Sequence, residues 1–229
     1  MQGREPGPEF DLEASLKPPL PETMPKIVHV DRLINRPIAA LIVRAVRKTG
    51  LLPNHLTVAA FVLSAAGAAA FLGGTHHDFI LAGILIYAGT LLDGADGMLA
   101  RSKNLCTRFG AYLDLYLDRI TDFLVLGAMI TGYYRQSGRL DFYILSIFGL
   151  AAYMLQTALY YLEREYHEVR TGSGASGDYR GLVYLGVFIF AVINRLDILI
   201  GILLCIPVLN ILYRFVRYWI VDRPAEPPR

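Results

Sequence analysis

Long apolar runs constrain this chain more than any other feature. Six stretches read as membrane spans, near Leu56–Leu72, Phe79–Ala100, Thr107–Tyr133, Phe142–Leu162, Gly181–Asn194 and Ile198–Ile220. Most reach the roughly 20 residues a helix needs to cross a hydrocarbon core about 30 Å thick. The fifth is short, and its start could reach back towards Asp178. The third is unusual because its first half carries Asp114, Asp118, Arg119 and Asp122. Hydrophobic residues make up 54% of the chain and charged ones 18%, too apolar for an ordinary soluble domain. The expected fold is all-α: a polytopic membrane protein of six transmembrane helices, preceded by a surface helix.

Lys and Arg orient these spans. Lys26, Arg32, Arg36, Arg44, Arg47 and Lys48 precede the first span, and Arg101, Lys103 and Arg108 separate the second from the third. Arg164, Arg170 and Arg180 lie between the fourth and fifth, and Arg214, Arg217, Arg223 and Arg229 close the chain. The opposite side holds Arg135, Arg139 and Arg195. Positive residues mark the cytoplasmic face, so both termini are expected in the cytoplasm of a cell-membrane protein.

Residues Val28 to Lys48 form a separate element. Ile34, Ile38, Leu41, Ile42 and Ala45 recur at helical spacing, with basic residues between them, which predicts an amphipathic helix on the cytoplasmic surface. Such a helix can simply anchor, or it can cover a site opening on that face. Pro37 suits a first turn, so the regular part is expected to start near Asn35. Residues 26–221 are expected to form one domain. Residues 1–25, rich in proline and charge, and residues 222–229 are expected to be disordered tails. Cys106 and Cys205 have no CxxC partner and suggest neither a disulfide nor a zinc site. His76 and His77 read as exposed loop residues. The glycine-rich run from Arg170 to Gly177 lacks the lysine of a phosphate loop.

The informative stretch is Asp93-Gly-Ala-Asp-Gly-Met-Leu-Ala-Arg101, followed by Gly110, Asp114 and Asp118. At about 100° per residue, Asp93, Asp96, Gly97, Ala100 and Arg101 share one helix face. Gly110, Asp114, Asp118 and Asp122 step by four and form a second stripe. The two helices are antiparallel across a short loop. Asp96 then lies about 7 Å in from Arg101, and Asp114 about 10 Å in from Thr107, by the rise of the helix. The acids sit at similar depth and can converge.

Ionised carboxylates converging inside a membrane are costly unless something neutralises them. Oxygen-only sites favour hard cations such as magnesium or manganese, and a pair of ions would clamp the oxygens of a phosphoryl displacement. Gly97 and Gly110 would let a substrate approach the backbone, and Arg101 can meet a phosphate. The same acids could instead serve an ion- or proton-coupled carrier, or pair with basic residues. Arg119 alone cannot balance Asp93, Asp96, Asp114, Asp118 and Asp122.

The pattern D-x-x-D-G-x-x-A-R-x8-G-x3-D-x3-D, complete here across 26 residues, resembles the signature of the CDP-alcohol phosphotransferases. The surface helix, the six spans and the Pro53-Asn54-x-x-Thr57 stretch look like this family too, so the resemblance covers roughly Val28 to Trp219. It implies that Asp93, Asp96, Asp114 and Asp118 hold two divalent ions (Mg2+ or Mn2+), and that Asp118 is also the general base towards the acceptor hydroxyl. Gly97, Arg101, Thr107 and Gly110, with Asn54 and Thr57, would line the CDP donor's site. The donor would be a CDP-linked lipid, CDP-diacylglycerol first, or a soluble CDP-polyol. Arg119, Arg164 and Arg180 would favour a phosphorylated polyol as acceptor, such as inositol phosphate or glycerol phosphate. Arg119 could equally pair with Asp122 three residues on. The resemblance also implies a homodimer in a lipid bilayer, and no nucleic-acid partner is expected.

Overall fold

Local chemistry marks the starts of three of the helices. In the computed structural model, which describes residues 28–171 and 180–221, seven helices follow one another. They are α1 (Val28–Val46), α2 (Pro53–Phe71), α3 (His76–Ser102), α4 (Arg108–Ser137), α5 (Leu140–Thr171), α6 (Arg180–Val192) and α7 (Leu196–Val221). Pro53 opens α2, where its missing N–H leaves no helical bond unmade. Thr75 caps α3 reciprocally: its hydroxyl accepts from the Asp78 N–H, and the Asp78 carboxylate accepts from the Thr75 N–H at 3.1 Å. Thr107 caps α4 by accepting from the Gly110 N–H at 2.9 Å. Gly138, at φ 67°, ends α4 in the left-handed region that glycine tolerates.

Among the described residues, four segments are long and apolar enough to cross a membrane: Pro53–Phe71, His76–Ser102, Leu140–Leu159 and Leu196–Val216. Gly181–Val192 is apolar too but shorter. The helix α4 is long enough at 30 residues, yet its acidic first half keeps it from reading as an apolar span. The protein is a multi-pass, all-helical membrane protein, and the outward faces agree with that. Phe148, Leu209, Tyr213 and Phe215 are each more than 60% exposed, a surface that suits lipid rather than water.

α2 packs along α3 and α4, α3 along α6, and α5 along α7. Small residues make the closest contacts. A Cβ on Gly67 would meet Ile86 at 2.7 Å, and one on Gly132 would meet the Phe71 carbonyl at 2.1 Å, so glycine lets these backbones touch. Phe71, Phe79, Ile86, Met129 and Val187 fill the main core. A second cluster joins Ala39, Ala40 and Val43 of α1 to Leu56, Ala95, Met98 and Leu99.

That cluster shows α1 doing more than lying on the surface. Its inner face packs across α3 at the aspartate motif, while Leu33 and Leu41 stay 75% and 61% exposed. Asn35, nearly buried, accepts at 2.9 Å from the Tyr87 hydroxyl of α3. Pro37 lies well inside α1, rather than in its first turn as the sequence suggested. The carbonyl four residues back belongs to Leu33, which is exposed and can be solvated, so the helix continues through the proline. Lys103, just after α3, donates to the carbonyls of Thr49 and Leu51, both at 2.8 Å, and so fastens the α1–α2 connection to the end of α3.

The other end of the bundle is closed by polar contacts. Arg135 donates to the Leu72 carbonyl, His76 meets the Val192 carbonyl at 2.9 Å, and Gln136 donates to Asn194 at 3.1 Å. His76 and His77 fall in the first turn of α3, and His76 serves this packing. In the turns beyond the spans, hydrogen-bonded Asp141 and Asp197 raise the pKa of Arg139 and Arg195 and hold both guanidiniums charged.

Candidate active site

The short connection from α3 to α4 sets the two acidic stripes face to face. Asp93, Asp114 and Asp118 each turn a carboxylate oxygen into one cluster, all within 4.8 Å of one another, and all three are half-buried. Three carboxylates at that separation, inside helices, form an all-oxygen donor set for a hard divalent cation.

Asp96 is not one of this trio and is held differently. It is 7% exposed, and its Oδ2 accepts from the Thr57 hydroxyl at 2.5 Å. The same hydroxyl lies 3.3 Å from the Pro53 carbonyl, but it has one proton, and the closer partner takes it. Thr57 therefore orients Asp96 from α2.

Two cavities flank the acids. The larger, about 250 Å³, has Asp93 and Asp118 in its wall together with Arg36 and Ala39 of α1, Ser64 of α2, Thr121 of α4, and Gly181 and Tyr184 of α6. The smaller, about 190 Å³, is lined by Asn54, Asp96, Gly97, Thr107, Gly110 and Asp114. Thr57 and Arg101 belong to both. The sequence-predicted donor residues Asn54, Thr57, Gly97, Arg101, Thr107 and Gly110 thus line one chamber. Thr107 accepts the Gly110 N–H as a cap, which orients its hydroxyl in that wall and leaves the O–H able to donate.

Both motif glycines stand close to polar side chains of the site. A Cβ on Gly97 would stand 3.3 Å from Arg101 Nη1, so the guanidinium folds back over this glycine. A Cβ on Gly110 would stand 3.1 Å from both the Asn54 amide oxygen and the Thr107 hydroxyl.

Of the three arginines read as acceptor ligands, Arg119 is engaged elsewhere. Its Nη1 pairs with Asp122 Oδ2 at 2.9 Å, the i+3 alternative, and Asp122 is 1% exposed. Asp122 Oδ1 also accepts from the Tyr184 hydroxyl at 2.5 Å. An Arg119–Asp122–Tyr184 chain, buried at Asp122 and Tyr184, therefore ties α4 to α6 beside the larger cavity. Arg164 lies on α5, and Arg180 is the first residue of α6; both side chains fall outside the described residues. The segment 172–179, including most of the glycine-rich run, and residues 1–25 and 222–229 fall outside them as well. Sequence reasoning missed Arg36, Tyr184 and Thr121 as cavity residues; the only signal was the position of the surface helix on the basic face.

The sequence and fold can be set against known proteins. A family model described as CDP-alcohol phosphatidyltransferase matches residues 50–221. The chain belongs to the CDP-alcohol phosphatidyltransferase family.

It is 31% identical over 113 residues to the archaetidylinositol phosphate synthase of Pyrococcus horikoshii, covering 49% of this chain and 54% of that protein. It is 31% identical over 157 residues to the bifunctional IPC transferase and DIPP synthase of Archaeoglobus fulgidus, covering 68% of this chain and 29% of that one. The chain thus spans about half or less of the length of these curated relatives. In fold it resembles the crystal structure of Mycobacterium tuberculosis phosphatidylinositol phosphate synthase with CDP-DAG bound, at a TM-score of 0.58 and 23% identity over 84% of this chain and 99% of that one. The same enzyme in complex with manganese and citrate matches at a TM-score of 0.59 and 24% identity, over 86% and 96%.

Proposed function

We propose that this protein transfers a substituted phosphate from a CDP-alcohol, CDP-diacylglycerol first among them, to a hydroxyl of a phosphorylated polyol, releasing CMP. The observation that carries the reading is the carboxylate trio placed between two chambers, because a displacement at phosphorus needs donor and acceptor on opposite sides of one centre. The smaller chamber is the donor's. Its Gly97 and Gly110 leave room against the backbone, and Arg101 meets the diphosphate. The larger chamber is the acceptor's, with Asp118 in its wall. Relatives named for inositol phosphate products agree with such an acceptor.

Asp93, Asp114 and Asp118 would hold divalent metal, magnesium or manganese, with Asp96 beside them. Bound ions would supply charge neutralisation for the carboxylates and the diphosphate. The chain's own residues do the rest. Asp118 takes the proton from the acceptor hydroxyl. The freed oxygen attacks the phosphorus that carries the donor's alcohol, the bond to the CMP oxygen breaks, and CMP leaves. Thr57 holds Asp96 in place, and Arg101, common to both chambers, bridges them. Arg180 directly precedes Gly181, a residue of the acceptor chamber's wall, and Arg164 and Arg180 stay candidates for the acceptor phosphate from the sequence alone. The basic residues around this end suit a site facing the cytoplasm.

Purified protein with CDP-diacylglycerol, magnesium and radiolabelled inositol phosphate or glycerol phosphate should release CMP and label a lipid product. Asp118→Asn should abolish both. Turnover of free serine or choline with none of a phosphorylated polyol would overturn the acceptor. Ion flux in liposomes with no CMP from any CDP-alcohol would overturn the reaction.

A further inference from the structure

The acceptor chamber needs a cation that belongs to it alone. A phosphorylated polyol brings a dianion beside Asp93 and Asp118, and that repulsion must be offset by a charged donor. Arg119 cannot be counted on for it, because its guanidinium pairs with nearly buried Asp122. Arg101 lines the chamber but lies equally in the donor's, folded over Gly97. Among the described residues, Arg36 is the remaining arginine or lysine in the larger cavity's wall.

We infer that Arg36, on the surface helix, is a binding residue for the phosphate of the acceptor. The inference rests on the phosphotransfer reading and adds a specificity residue outside the aspartate motif. Two features hold Arg36 in position. Its neighbour Asn35 is nearly buried and accepts from Tyr87 at 2.9 Å, which fixes the rotation of α1 about its axis. One turn on, Ala39 packs beside Gly94, where a Cβ would stand 3.8 Å from the Ala39 methyl. The helix is thus keyed to α3 on both sides of Arg36, and Arg36 is half-buried against the cavity. A guanidinium in that wall can meet phosphate oxygens with a planar fork.

The test compares the wild type with Arg36→Gln and Arg36→Lys in detergent or liposomes, using inositol 1-phosphate and glycerol 3-phosphate as acceptors. Arg36→Gln should raise the acceptor KM about 10- to 100-fold while the KM for CDP-diacylglycerol changes less than about 2-fold, the loss of one charge-assisted contact. Arg36→Lys should recover part of it. An unchanged acceptor KM, or equal changes for both substrates, overturns the proposal. Retention of radiolabelled inositol 1-phosphate by the protein without donor gives a second readout that needs no turnover. Wild type that makes no CMP but retains the label, with Arg36→Gln losing it, sinks the reaction and keeps Arg36 as a phosphate ligand. Equal retention by both sinks Arg36. If the glutamine variant does not fold, the lysine variant carries the same comparison, with a smaller expected rise of about 3-fold.

Discussion

The two ends of the helical bundle solve opposite problems. At the far end, each named polar group is directed at a partner that completes it. Thr75 caps α3, Arg135 serves the Leu72 carbonyl, His76 the Val192 carbonyl, and Gln136 the Asn194 amide. At the motif end, like charges face one another. Asp93, Asp114 and Asp118 bring oxygens within 4.8 Å, and two cavities open beside them. One end is organised for stability and the other gives up stability for chemistry. A site destabilised in its empty state gains more from the ions and phosphates that bind it.

The largest effect should come from the crowded carboxylates. Asp93→Asn or Asp114→Asn should lower CMP release about 1000-fold or more, by the loss of metal-assisted catalysis. Thermal unfolding in metal-free detergent should stay level or rise, because each change removes one of the facing charges. A fall in melting temperature alongside the loss would mean that the acids hold the helices together, and the contrast between the ends would be gone.

Gly97→Ala probes the same end without touching charge. The new methyl presses on the Arg101 guanidinium at 3.3 Å. kcat/KM for the CDP-lipid should drop about 10- to 100-fold, consistent with misplacement of one positioning contact. Unaltered donor kinetics would show that Arg101 can move aside freely.

At the far end the ranking reverses. Gly132→Ala drives a methyl into the Phe71 carbonyl and should cost about 1–3 kcal/mol in a reversible unfolding titration, as overpacking does. Specific activity of the folded fraction should be unchanged. Thr75→Ala should be milder, about 1 kcal/mol for a lost cap, again with turnover preserved. Reduced turnover in either folded variant would show that the two ends are coupled.

What could be read in advance follows from how far apart the interacting residues lie. The acidic stripes were legible because helical spacing alone sets them, and a short connection brings α3 and α4 together. The start of the third span at Thr107 was legible too, whereas the first was expected from Leu56 and its helix begins three residues earlier, at Pro53. The pairing of Asp96 with Thr57 joins α3 to α2 across 39 positions, and no periodicity predicts which acid a threonine will meet. Arg119 posed a choice between Asp122 and an acceptor. Tyr184, 62 positions from Asp122, weights that choice towards the buried network by adding a second bond to the same carboxylate. Arg36 looked like one of several basic residues on an amphipathic helix. Its place in a cavity wall depends on Tyr87 and Ala39 fixing the helix's rotation.

Lys103 clasps the carbonyls of Thr49 and Leu51, so the stretch between α1 and α2 is pinned at one point while α1 beyond it presents Leu33 and Leu41 outward. The clasp sits between the residues that α1 and α2 give to the two chambers, Arg36 to one and Asn54 to the other. It acts as a spacer: with the connection tied to the end of α3, both walls are measured from the same helix that carries Asp93 and Asp96.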